Sequence, residues 1–131
     1  MSALAKTIDE QQRADVAAYF ASLTPPYAGP TVKPVRAVLT RGRLLVRSGD
    51  ESKQLQACAN CHGPDGSGEE LAGPSLIGQS GTYLAAVIGE WKSGARKNDG
   101  GKQMAVVSGR LNDQDTAAVA AYFESLGSTQ F

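Results

Sequence analysis

Five consecutive residues, Cys58-Ala59-Asn60-Cys61-His62, constrain this chain more than anything else in it. On a helical turn the two thiols, three residues apart, share one face, with the imidazole beside them. That set matches a tetrapyrrole bearing two vinyl groups and a central metal. Each thiol can form a thioether to one vinyl, and the imidazole can meet the iron. The inventory leaves nothing spare, because the chain holds two Cys, one His and two Met. The motif therefore predicts covalent attachment of one haem c per chain, and a fold obliged to build a cavity around it.

Two other chemistries use paired cysteines. A thioredoxin-like redox pair would carry Gly-Pro between its thiols and sit in an alternating strand-helix pattern, and neither is present. A structural zinc site would need four ligands, and the second Cys or His pair that completes one is missing.

At 131 residues the chain is long enough for one domain with its own core, and a large apolar cofactor would supply part of that core. Thirteen basic and thirteen acidic residues cancel, which leaves no basic footprint for nucleic acid. No apolar run approaches the roughly 20 residues of a membrane helix, so membrane association is expected only through a partner. The N-terminus has neither the basic nor the apolar region of a secretory signal. Covalent haem attachment needs haem and reduced thiols together outside the cytoplasm. The expectation is thus a periplasmic protein whose signal is absent from this chain, as in an excised domain or fragment.

An internal repeat gives the same expectation independently. Residues 1–23 resemble residues 104–126 at a constant offset of 103, with Val16-Ala17-Ala18-Tyr19-Phe20 recurring as Val119-Ala120-Ala121-Tyr122-Phe123. Val16, Tyr19, Phe20 and Leu23 follow the i, i+3, i+4, i+7 spacing of one buried helical face, as do Val119, Tyr122, Phe123 and Leu126. Asp9 with Gln12, and Asn112 with Asp115, supply caps. Residues 1–23 read as the terminal helix of a preceding unit, needing its own domain or a neighbouring copy to bury that face. A homodimer through this helix is one form of that expectation.

Residues 24–34 contain four of the six prolines and form a semi-rigid linker. The domain proper is placed at 35–127, with 128–131 as a tail. Its first helix carries Val35, Val38, Leu39, Leu45 and Val46 on one face. Gly42 stands in their midst, implying close approach of another helix, with Tyr122 and Phe123 the candidates. Leu84, Val87, Ile88 and Trp91 define a helix capped within 80–82 and stopped by Gly94. The glycines at 63–68 and 73 fit close backbone approach to a haem face better than a phosphate loop, since no Gly-Lys-Ser/Thr follows. Residues 95–110 read as a polar, glycine-containing loop around Met104. With the only His in use, a sixth iron ligand must come from a Met, a Lys or a neighbouring chain. Met104 is the candidate, because thioether sulfur is a soft, neutral ligand.

These stretches together resemble class I cytochromes c, and within them the tandem di-haem bacterial cytochromes of the c-four type. The residues that carry the resemblance are 58–66, 73–79, Tyr83-Leu84, 91–96, Met104 and 111–115. It spans about residues 36–127, with the N-terminal helix resembling the end of a first haem domain. It implies an all-α class I cytochrome c fold, with crossed N- and C-terminal helices around one haem and an extra N-terminal helix. It further implies thioethers at Cys58 and Cys61, a proximal ligand in His62, a distal ligand in Met104, and a Pro74 carbonyl accepting a hydrogen bond from His62. Tyr83, Trp91 and Arg96 match positions near the haem or its propionates.

The function expected is one-electron transfer between respiratory or periplasmic redox partners such as an oxidase, reductase or dehydrogenase. The chain would be a carrier and not an enzyme, although it could serve as a domain of a larger redox enzyme. The alternatives are a haem subunit of a dehydrogenase or oxidase complex, or a ligand-binding or peroxidatic haem protein.

Overall fold

A computed structural model describes residues 2–23, 33–69 and 73–127. Met1, most of the expected linker (24–32), residues 70–72 and the tail lie outside them. The helices are α1 (Ser2–Ala5), α2 (Glu10–Ser22), α3 (Arg36–Ser48), α4 (Ala59–His62), α5 (Gly81–Ser93), α6 (Gln103–Arg110) and α7 (Asp113–Leu126). Among the described residues the only extended pairings are two isolated bridges, Asp50 with Leu55 and Glu69 with Gly73. The fold is all-α.

The first and last helices of the domain, α3 and α7, make its most extensive helix contact. Their closeness has a specific cause. A Cβ on Gly42 would lie 2.2 Å from the Ala118 carbonyl oxygen and 2.7 Å from Tyr122 Cβ, so only glycine admits α7 at this separation. Of the two aromatic residues expected opposite Gly42, Tyr122 is there. Phe123 instead presses on Gly66, where a Cβ would meet its ring at 2.3 Å. Val35, expected on the buried face, is 66% exposed. It occupies the extended N-cap position before the first turn, beyond the crossing.

Leu45, Val46, Leu55, Leu84, Ile88, Leu111, Val119 and Phe123 are core members drawn from α3, α5, α7 and their connections. Ser80 caps α5 by accepting from the Tyr83 backbone N–H, and Gly94 ends it at φ 73°, as the sequence suggested. The loop expected over 95–110 contains a helix, α6. Met104, Val107 and Leu111 follow i, i+3, i+7 spacing, and all three line one cavity. With only eight residues and an internal Gly109, α6 carries too few apolar positions to stand out in sequence.

A charged network reinforces the α3–α7 crossing. Arg41 donates to Asp50 at 2.7 Å and to Asp115 at 2.9 Å, and Lys53 also donates to Asp115. Burial alone would raise the Asp115 pKa, but hydrogen bonds from Lys53 and Arg41 outweigh it and hold the carboxyl below its ordinary value. Ser52 and Arg41 lower Asp50 to about 2.

The two halves of the sequence repeat have different fates. Val119, Tyr122 and Phe123 are 3%, 7% and 1% exposed, whereas Val16, Tyr19 and Phe20 are 47%, 62% and 64% exposed. The Asp9–Gln12 capping box forms in α2 as expected, yet none of its residues is buried. The expectation that this helix packs on its own domain is not met: no described element covers its apolar face.

Two outcomes follow. Gly42→Ala gains about 1 kcal/mol of helix propensity, but the clash with backbone at Ala118 outweighs it. Denaturant unfolding should show a net loss of about 2 kcal/mol. Because Asp50 and Asp115 have depressed folded-state pKa values, their contribution is present above the ordinary value of 3.8 and is lost as pH falls below it, for Asp50 through about 2. Asp115→Asn, leaving Arg41 and Lys53 without that carboxylate, should cost about 2–3 kcal/mol at neutral pH. It should also flatten the acid side of the stability profile, below the ordinary carboxylate value of 3.8.

Candidate haem site

Cys58 has helical dihedrals at the N-cap of α4, and its carbonyl accepts from the backbone N–H groups of Cys61 at 3.2 Å and His62 at 3.0 Å. One helical turn thus presents both thiols and the imidazole, and Gly63 ends it at φ 76°. The two cysteines form no disulfide with each other. Burial pushes the Cys58 thiol up to about 11, with Cys61 adding to the effect. A thiol of that kind is protonated at neutral pH, unlike the activated thiolate of a redox dithiol.

His62 is buried, and its Nδ1 lies 2.8 Å from the Pro74 carbonyl oxygen. A carbonyl can only accept, so Nδ1 carries the proton and the Nε2 lone pair is left for a metal. Gly73 lets the Pro74 segment come this close, since a Cβ there would lie 2.8 Å from His62 Nδ1.

All eight residues singled out in the sequence, Cys58, Cys61, His62, Pro74, Tyr83, Trp91, Arg96 and Met104, line one cavity of about 430 Å³. That volume falls within the range of cofactor sites, roughly 300–1,000 Å³. Leu84, Ile88, Leu111, Val119 and Phe123 supply much of its apolar wall. Met104 stands in the first turn of α6, where its backbone N–H donates to Asp99 at 2.6 Å. The Arg96 guanidinium donates to Glu90 at 3.0 Å and lies 5.7 Å from the Trp91 ring centroid, in cation–π range. Tyr83 is half exposed. Sequence reasoning missed Gln56, Asn98 and Gln103, polar lining residues with no periodic signal around them. Among the described residues no group of three or more His, Cys, Asp or Glu is placed to share a metal ion.

The donor set fits haem: two thiols for vinyl groups, one oriented imidazole, one thioether and an apolar slot. Fold and site together define a small all-α domain for covalently attached haem. The chain belongs to the cytochrome c family, whose model matches residues 49–127, and it carries one covalently bound haem c. It is similar to cytochrome c4 of Pseudomonas aeruginosa, with 35% identity over 96% of this chain and 62% of that protein. It is also similar to a thiosulfate dehydrogenase electron acceptor of Thiomonas intermedia, with 37% identity over 93% of this chain and 56% of that protein. Reduced cytochrome c4 from Pseudomonas stutzeri superimposes with a TM-score of 0.80 at 31% identity, covering 94% of this chain and 64% of that one. The chain therefore spans less than two thirds of the length of these relatives.

Gly73→Ala should displace the His62 ring or the Pro74 carbonyl, because neither Nδ1 nor the Cys61 carbonyl oxygen at 2.9 Å can yield without breaking the turn. The expected result is a lower ratio of Soret to protein absorbance in the purified variant.

Proposed function

We propose that this chain is a one-electron carrier. In this reading Cys58 and Cys61 hold the haem by thioethers, His62 is its proximal ligand and Met104 its distal ligand. The observation that carries the proposal is the single cavity shared by the two thiols, by His62 with Nδ1 committed to Pro74, and by Met104.

When bound, the haem supplies a ferric/ferrous couple. The protein decides how that couple is used. Pro74 holds the His62 ring in one tautomer and orientation, which also strengthens its donation. The Met104 thioether favours the reduced state. Leu84, Ile88, Val119 and Phe123 keep water from the buried face. Arg96, stacked on Trp91, is assigned to the propionates, and Tyr83 to the cavity mouth. With His62 and Met104 both holding the iron, little substrate chemistry would be possible and electron transfer would remain.

The partners fitting this role are a dehydrogenase, reductase or oxidase, met through a small transient contact. Gln56, Pro74, Gln79 and Tyr83, all exposed and uncharged, edge the cavity and suit such a contact. The similarity to the Thiomonas thiosulfate dehydrogenase electron acceptor supports the narrower reading of an electron acceptor for a dehydrogenase, which co-purification with such an enzyme would test. The periplasm is the compartment consistent with the attachment chemistry. No helix among the described residues is long and apolar enough to cross a membrane. The uncovered face of α2 is read as a contact with a second copy of the chain, and a monodisperse monomer in sedimentation would overturn that.

Met104→Ala tests the ligand set. The reduced wild type should show sharp low-spin bands and bind carbon monoxide slowly. The variant should lose the sulfur-to-iron charge-transfer band, bind carbon monoxide rapidly and have a lower potential. An unchanged spectrum in the variant would remove Met104 from the iron, and rapid binding by the wild type would favour a ligand-binding or peroxidatic protein.

A further inference from the structure

The loop that presents Pro74 to His62 is braced from the far side by three residues that do not line the haem cavity. Asp65 follows His62 by three residues and holds a left-handed conformation at φ 58°. Its carboxylate accepts two hydrogen bonds from Arg47 of α3, from Nε at 2.8 Å and Nη2 at 2.9 Å. The Tyr122 hydroxyl of α7 donates to the same group at 3.4 Å. Asp65 is thereby tied to both members of the crossed pair.

The residue next to Asp65 transmits this constraint. Gly66 is wedged against the Phe123 ring, and its carbonyl accepts from the Leu76 backbone N–H at 2.8 Å and the Ser75 hydroxyl at 3.4 Å. These are the two residues directly after Pro74. On the other side, the Gly68 N–H donates to the His62 carbonyl at 2.7 Å. The Pro74 carbonyl and the His62 ring are thus fixed from both ends of one loop, whose anchor in the helical frame is Asp65.

We infer that Arg47, Asp65 and Tyr122 form a positioning network that aims the Pro74 carbonyl at His62 and so sets the electron donation of this imidazole. The inference rests on the ligand assignment proposed above. A bidentate guanidinium–carboxylate pair is directional as well as strong, which suits a brace that must hold an angle. A weaker hydrogen bond at Nδ1 makes the imidazole a poorer donor, so loosening the brace raises the reduction potential.

Asp65→Asn in the haem-loaded protein is the sharpest test, because Asn tolerates the left-handed backbone while losing the charge and one of the two oxygens that accept from Arg47. The expected results are a raised reduction potential and exchange of the His62 Nδ1 proton, followed by NMR, that is about tenfold faster, the effect of losing one such bond. Tyr122→Phe should move both readouts in the same direction by less. Asp115→Asn is the control: it weakens the same α3–α7 crossing without touching the loop, and should leave both readouts as in wild type. If Asp65→Asn moves neither readout, or Asp115→Asn moves both equally, the network is merely structural and the inference falls. Should Asp65→Asn fail to accumulate, Arg47→Gln on the protein surface decides by the same measurements. A wild-type spectrum lacking His-ligated low-spin haem would instead overturn the ligand assignment, and this inference with it.

Discussion

The close passage of α3 over α7 at Gly42 is the constraint on which the rest of the structure depends. With backbone nearly touching backbone there, neither helix can slide or rotate without collision, and the side chains around the crossing inherit fixed positions. Arg41 reaches Asp115 and Asp50, Arg47 reaches Asp65, and Phe123 meets Gly66. A helix pair joined mainly by long flexible side chains would not hold such bonds in register, because each would have to overcome the entropy of ordering it.

The site is supported unequally on its two sides. Near His62, the imidazole, the Pro74 carbonyl and the Gly66 turn are joined by hydrogen bonds that lead directly to the crossed helices. Met104, in contrast, sits in the first turn of an eight-residue helix, entered through Lys102 in a left-handed conformation and fastened by one bond to Asp99. A helix of two turns contributes little stability of its own. The His62 side is therefore the more extensively braced of the two, and the Met104 side the less.

Much of this was legible in the sequence, and the reasons differ by feature. The motif at 58–62 is local, since one helical turn suffices to bring its groups together. Ser80 and Gly94 bound α5 through hydrogen bonds and dihedrals encoded within a few residues. Gly42 announced a close helix contact because it is costly otherwise, but which atoms it met depended on the crossing angle, and Phe123 went elsewhere. The helix α6 was hidden because its apolar positions number too few to show a period. The networks through Asp115 and Asp65 were invisible, since they join residues 74 and 18 positions apart. Only part of the role of Asp115 was local: its backbone N–H donates to the Asn112 cap as expected, while its carboxylate also serves Arg41 and Lys53.

The α2 and α7 pair separates what local sequence decides from what packing decides. Both have a capped N-terminus and the same apolar face, and both are helices, so caps and propensity are enough to form the element. Burial is a different matter, because it needs a complementary surface. At the repeat offset, Gln12 of α2 stands where α7 has Asp115, and Asp15 stands where α7 has Ala118. Placed against α3, α2 would leave Arg41 and Lys53 without their shared carboxylate and set a charged side chain beside Gly42. The internal repeat is thus not interchangeable: two substitutions on an otherwise matching face bar α2 from the α7 seat, and the surface that covers Val16, Tyr19 and Phe20 must differ from the one α3 offers.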